Sequence, residues 1–159
     1  MITLSKSQEL RNQMIFIERD AKIGKNVKSE DRINIWANAK IGDNVTICRG
    51  VNIKINAIIE DDVEIGGFSV IGENAVIGRG IKLPPRSIID DGLILKKLVQ
   101  YKSSKYLFSV LGDKVMIGCL TYPLEDWMKN YERIGKLHEC TKVELDEIHT
   151  ILQIIARQQ

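Results

Sequence analysis

A spacing of six residues governs the first half of this 159-residue chain. Stepping by six from Ile17 gives Ile17, Ile23, Ser29, Ile35, Ile41, Ile47, Ile53, Ile59, Ile65, Ile71, Ile77, Leu83 and Ile89, and only Ser29 leaves the aliphatic class. Four residues after these stands a second series of small or β-branched residues: Ala21, Val27, Ile33, Ala39, Val45, Val51, Ala57, Val63, Ser69, Ala75, Ile81 and Ser87. A helix repeats every 3.6 residues and a strand every two, so a six-residue phase held this long excludes an amphipathic helix and any long strand. The unit has to be a short strand closed by a turn, with the large aliphatic buried and the corner near the small residue. Glycine follows the aliphatic at positions 24, 42, 66, 72 and 78, where the backbone needs room.

The runs INIWANAKIGDNVTI and VEIGGFSVIGENAVIGRG, followed by IKLPPRSII, resemble the hexapeptide repeats of left-handed parallel β-helix acyltransferases and the end of their last coil. The resemblance covers about residues 17 to 91. It implies three hexads per triangular coil, about four coils stacked ~4.8 Å apart, and a homotrimer with roughly parallel β-helix axes. It also implies an exception to the usual right-handed crossover between parallel strands.

In an 18-residue coil, residues 18 apart stack, so the corners can be compared by column. Asp20, Asn38, Asn56 and Asn74 form one corner; Asn26, Asn44, Asp62 and Gly80 form a second. These residue types tolerate left-handed turns. The third column, Arg32, Gly50, Phe68 and Arg86, breaks that rule. On the outside, Lys22, Lys40, Ile58 and Val76 change from cationic to aliphatic along the stack, as Asn34, Asn52, Val70 and Ile88 change from amide to aliphatic. Outward aliphatics call for a cover, either another subunit or the tail.

Beyond Asp91–Gly92 the hexads end. The expected organisation is mainly β: an N-terminal cap over residues 1–16, a left-handed parallel β-helix over 17–92, and a β-hairpin plus two C-terminal helices over 93–159. KYLFSVLGDKVMIGC, residues 105 to 119, reads as a hairpin turning at Leu111–Gly112–Asp113. Pro123, Glu125 and Asp126 mark a helix start, with Leu124, Trp127, Met128, Tyr131 and Ile134 as its apolar stripe and Gly135 as its expected end. A capping box from Thr141 to Glu144 starts a second helix, with the stripe Leu145, Ile148, Ile151, Leu152 and Ile155. From Tyr106 onward the chain resembles the tails of small phage or prophage proteins, with no motif to carry a role.

A formal net charge of +2 argues against a dedicated nucleic-acid binder, which needs a clear basic surplus. Glu132, Glu139, Glu144, Asp146 and Glu147 argue the same for the tail helices. Cys48, Cys119 and Cys140 are odd in number and widely spaced, which suggests reduced thiols and no zinc site. No apolar run of ~18 residues is present, and the polar start MITLSKSQELRNQ does not read as a signal peptide. The expectation is a cytoplasmic protein without a membrane partner.

The acyltransferases that this chain resembles generally move an acyl group from coenzyme A to a hydroxyl or amine, with a histidine as general base at an inter-subunit cleft. The coils here hold no histidine; His138 and His149 fall in the tail. Gly78, Gly80, Lys82, Pro84, Pro85 and Ser87 echo the family's acyl-donor groove, but DDGLILKK replaces the small-residue extension that normally follows. No catalytic residue, metal site or cofactor is therefore expected. Arg32, Arg49 and Arg86 belong to the unusual corner, and Arg79 and Lys82 lie on the final coil. With copies from a neighbouring subunit they would form an anion pocket. Phe68 and Trp36 are aromatics able to face outward and stack a base, or to pack at the trimer interface.

The leading expectation is a non-catalytic homotrimer that binds or sequesters a small phosphate- or nucleotide-like anion at inter-subunit clefts, or binds a protein partner. Its ligand residues are Arg32, Arg49, Phe68, Arg79, Lys82 and Arg86. The alternative is a coenzyme A-dependent acyltransferase acting on an amino sugar without a histidine base. Glu60, Asp61, Asp62, Glu73 and Asp90 are the candidate substitutes for that base. A third reading is a structural or inhibitory protein, of phage origin, that docks through its tail.

Overall fold

The computed structural model describes residues 14–159. Of the cap expected over residues 1–16, residues 1–13 lie outside the described residues. The chain divides between Leu98 and Val99 into two compact units.

The first unit consists of strands two or three residues long. In chain order they are β1 (Ile15–Ile17), β2 (Lys22–Ile23), β3 (Lys28–Ser29), β4 (Ile33–Ile35), β5 (Lys40–Ile41), β6 (Thr46–Ile47) and β7 (Asn52–Ile53). The series continues with β8 (Ile58–Ile59), β9 (Glu64–Ile65), β10 (Val70–Ile71), β11 (Val76–Ile77), β12 (Lys82–Leu83), β13 (Ile88–Ile89) and β14 (Ile94–Leu95). Every third strand belongs to the same sheet. The three sheets run β1-β4-β7-β10-β13, β2-β5-β8-β11-β14 and β3-β6-β9-β12. All pairings are parallel and join residues 18 apart, as in Asn34↔Asn52, Lys40↔Ile58 and Glu64↔Lys82. The unit is a β-solenoid of about four turns.

The hexad spacing explains this architecture directly. The leading aliphatics from Ile35 to Ile89 and the second series from Val27 to Ser87 all point inward and are buried. Each buried isoleucine contributes roughly 1.5–3 kcal/mol of hydrophobic stabilisation. Ser29, the one polar member of the leading series, is buried too, and its hydroxyl has no hydrogen-bond partner among the described residues. Leu95 is buried one hexad beyond Ile89, and Ile94–Leu95 pairs with Val76–Ile77. The phase therefore continues past Gly92, because leucine fills the interior place that isoleucine holds below.

The corners close through left-handed residues. Asn38, Asn56, Asn74 and Gly92 stand at corner one, and Asn26, Asn44, Asp62 and Gly80 at corner two, all with φ between 55° and 72°. Corner three, Arg32, Gly50, Phe68 and Arg86, adopts the same conformation, with φ of 57°, 72°, 59° and 64°. Close stacking makes some glycines obligatory. A β-carbon on Gly42 would stand 2.5 Å from Asp61 Oδ1, the carboxylate that accepts the Asp43 amide at 2.9 Å.

The second unit is an antiparallel sheet with two helices. The expected hairpin is present as β16 (Leu107–Leu111) and β17 (Lys114–Ile117), and β15 (Val99–Lys102) and β18 (Leu120–Pro123) extend it to the order β15-β16-β17-β18. Gly112, with φ of 69°, opens the two-residue turn between Leu111 and Lys114. Phe108, Val115, Ile117, Trp127, Ile148, Leu152 and Ile155 form the core, and the Trp127 indole donates to the Val115 carbonyl at 2.7 Å.

Helix α1 (Leu124–Leu137) runs through Gly135 and does not end there. That expectation is corrected: Gly135 is buried, and a β-carbon on it would collide with the Leu145 side chain of α2 (Lys142–Ala156). The glycine serves helix–helix approach. The helix ends two hydrogen bonds later, where Cys140 N–H donates to Gly135 O at 2.9 Å and Glu139 N–H to Lys136 O at 3.2 Å. This is a Schellman motif with Glu139, at φ 56°, in the place glycine usually holds. The capping box at Thr141 and Glu144 is present as expected.

Candidate functional site

The six expected ligand residues lie along one solenoid face and its two bounding corners. The face is β3-β6-β9-β12. Lys82 is on the face, Arg79 precedes corner two at Gly80, and Arg32, Arg49, Phe68 and Arg86 stand at or beside corner three.

The structure divides these residues by what they already bind. Arg49 donates to Asp31 at 2.5 Å, and its backbone N–H donates to Glu30 Oε2 at 2.7 Å. The hydrogen bond to Arg49 is the main cause holding the Asp31 carboxyl below its usual range, and the same bond pushes the arginine up. Arg79 donates to Asp61 and lies 3.8 Å from Asp62, while its backbone N–H donates to Glu60 Oε2 at 2.8 Å. Lys82 pairs with Glu64 at 3.6 Å. These three cations are therefore engaged with the coil below. Sequence reasoning missed the partners, yet a signal was present: Asp31 and Arg49, Asp61 and Arg79, and Glu64 and Lys82 are each one 18-residue coil apart.

Arg32 and Arg86 differ. Arg32 has only a 3.9 Å approach to the adjacent Asp31, and Arg86 makes no ion pair among the described residues. Between them in the column, the Phe68 ring lies over Gly50 and remains about half exposed. Corner three thus presents guanidinium, ring and guanidinium along the solenoid axis, with coils ~4.8 Å apart. The two guanidinium groups can bind phosphate or carboxylate oxygens, and the ring can stack a planar group.

Three of the five groups named for acid–base chemistry, Glu60, Asp61 and Asp62, already accept hydrogen bonds. Asp61 Oδ1 accepts the Asp43 amide, Asp62 accepts from the Asn44 amide at 3.0 Å, and Glu60 accepts from Arg79. Ser87, in the echoed acyl-donor groove, is fully buried, and its hydroxyl donates to Pro84 O at 2.6 Å. Burial, with Glu30 and Glu64 nearby, pushes the Cys48 thiol up, so it stays protonated and a poor nucleophile. His138 is exposed, and His149 stacks on Tyr131 with ring centroids 4.9 Å apart. No group of three His, Cys, Asp or Glu side chains able to hold a metal ion occurs among the described residues. Trp36 donates its indole N–H to Asn52 at 2.7 Å and packs beside Phe16, away from corner three.

The described residues define a parallel β-solenoid protein with an appended sheet-and-helix unit. No family model matches the chain, and no curated protein matches it. A crystal structure of a candidate acetyltransferase from Bacillus cereus aligns with 90% of this chain and 94% of its own, at 15% identity and a TM-score of 0.29. A likeness at that level carries no argument about activity. Among the described residues, no helix is long and apolar enough to cross a membrane.

Proposed function

We propose that this chain is a non-catalytic, homotrimeric β-solenoid protein that binds a small phosphate- or nucleotide-like anion along corner three, at the cleft between subunits. One observation carries the reading. Corners one and two are built from Asn, Asp and Gly, which take the left-handed conformation at little cost, whereas corner three holds Arg32, Phe68 and Arg86 there. A residue without that tolerance costs about 1–2 kcal/mol in this conformation. Strain kept at one corner, where asparagine would satisfy the fold, points to a use for the side chains themselves. Two of the three are guanidinium groups, Arg32 with only a 3.9 Å approach to Asp31 and Arg86 with no ion pair among the described residues. The trimer rests on the family resemblance and on the exposed outward aliphatics Ile55, Ile88 and Ile94, which a neighbouring subunit would cover.

The coenzyme A reading has less support, because Lys82 and Ser87 are taken up by Glu64 and Pro84. The test uses asparagine, the solution of the other corners. Arg32→Asn and Arg86→Asn are expected to keep or raise the unfolding midpoint while weakening ATP or pyrophosphate binding by about tenfold or more in calorimetric titration. Unchanged binding in both variants would sink the proposal, as would acetyl transfer from acetyl-coenzyme A to an amino sugar. A monomer by mass photometry at micromolar concentration would remove the inter-subunit cleft.

A further inference from the structure

We infer that Ser69 and Ser87 are the positioning residues of corner three, acting from inside the solenoid on Phe68 and Arg86. The consequence for binding rests on the proposal above; the brace itself does not. Corner two is held from outside by an amide ladder, and corner one by a single amide rung. Asn56 donates to Asn74 at 3.1 Å, Asn26 to Asn44 at 3.2 Å, and Asn44 to Asp62 at 3.0 Å. A column of Arg, Gly, Phe and Arg can form no such ladder.

The interior column behind corner three is different in turn. It reads Ile33, Val51, Ser69 and Ser87, against Ala39, Ala57 and Ala75 behind corner one and Val27, Val45, Val63 and Ile81 behind corner two. The hydroxyls occur on the two coils that carry Phe68 and Arg86, and not on those that carry Arg32 and Gly50. Ser69 Oγ donates to Gly66 O at 2.6 Å, and Ser87 Oγ donates to Pro84 O at 2.6 Å. Each bond spans the turn that bears the left-handed residue, a local side chain-to-backbone link that competes well with other turn geometries. The Ser87 N–H donates to Ser69 Oγ at 3.1 Å and joins the two coils. Both serines are fully buried, so the bonds are sheltered from water. An inner hydroxyl ladder replaces the outer amide ladder, fixes φ at Phe68 and Arg86, and leaves their side chains free to meet a ligand.

The test combines a mutant cycle with amide exchange in the full chain. Ser87→Ala is expected to speed exchange of the Arg86 amide, which donates to Gly67 O at 2.8 Å, by about tenfold. Its effect on the unfolding equilibrium should shrink by at least about threefold when Arg86→Asn is also present, because asparagine needs no brace. ATP affinity should fall by about tenfold with Arg86 retained. Unchanged Arg86 exchange together with additive effects in the cycle would overturn the inference. If the unaltered chain fails to bind ATP, the binding proposal fails while exchange and coupling still decide the brace. Ser69→Ala, read at the Phe68 amide, supplies the same test should the first variant not fold.

Discussion

The ring of Phe68 rests on Gly50 one coil below it: a β-carbon on Gly50 would stand 2.6 Å from Cδ1 and 2.8 Å from Cε1. Gly50 also has φ of 72°, so a side chain there is opposed twice. Gly50→Ala is expected to cost about 2 kcal/mol, from left-handed strain plus displacement of the ring. Gly50→Asn should recover part of this loss, since asparagine removes the strain but not the collision. Denaturant unfolding measures both, and equal stability of the alanine variant and the parent would show that the ring does not depend on this contact.

The inward and outward positions of one strand should respond very differently. Ile65→Ala removes a fully buried side chain and is expected to cost about 2–5 kcal/mol. Its neighbour Glu64 is exposed and, among the described residues, forms an ion pair only with exposed Lys82, so Glu64→Ala should change stability by less than about 0.5 kcal/mol. Comparable losses in thermal unfolding would contradict the assigned faces.

The end of α1 offers a gain and a loss a few residues apart. Glu139→Gly should stabilise the second unit by about 1 kcal/mol, because glycine takes the left-handed position of a Schellman motif without a β-carbon penalty. Gly135→Ala should destabilise it by about 1–3 kcal/mol, through collision with Leu145. Calorimetric midpoints that move in the same direction for both variants would overturn this account.

Helix α2 should loosen at its start in acid. Hydrogen bonding from the Thr141 amide, followed in smaller part by the nearby Lys105, holds the Glu144 carboxyl below its usual range. A carboxylate depressed on folding contributes stability that is fully present above its unfolded pKa and is lost as pH falls through the folded value. The capping contribution should therefore be intact at neutral pH and disappear below the ordinary glutamate range. Carbon-detected titration of Glu144 checks this, and a midpoint at or above that of an unstructured glutamate would rule it out.

Much of the solenoid was legible because burial in it is one-dimensional. Ile53, Ile65 and Ile77 follow from spacing alone, and the corner columns follow from the coil length. The continuation to Leu95 was harder to read, since Leu93 and Leu95 break the isoleucine pattern and two lysines follow at 96 and 97. Gly135 misled because a glycine near a helix end suits both a cap and a close approach, and only the position of Leu145 distinguishes them. The hairpin at Gly112 carried a turn signal, whereas β15 and β18 are short and mixed in polarity and show their strand character only through pairing. At corner three the residue types stood out in the sequence, but the division between Arg49, Arg79 and Lys82, paired with the coil below, and Arg32 and Arg86, which make no such inter-coil pair among the described residues, required the carboxylates one coil away. The serine brace lay hidden in the small-residue series, where serine and alanine look interchangeable.

Stacking in steps of one coil makes distance along corner three a quantised variable. Arg86 and Phe68 are separated by one step and Phe68 and Arg32 by two, and side-chain changes cannot alter those intervals, only how each group reaches from them. Removing 18 residues between two like corners would rejoin equivalent positions and shorten the interval by one whole step, whereas removing a number that is not a multiple of six would put the hexads after the deletion out of phase with those before it. The solenoid therefore acts as a ruler whose graduations are set by the backbone, and a ligand that fits this edge must match it in length as well as in charge.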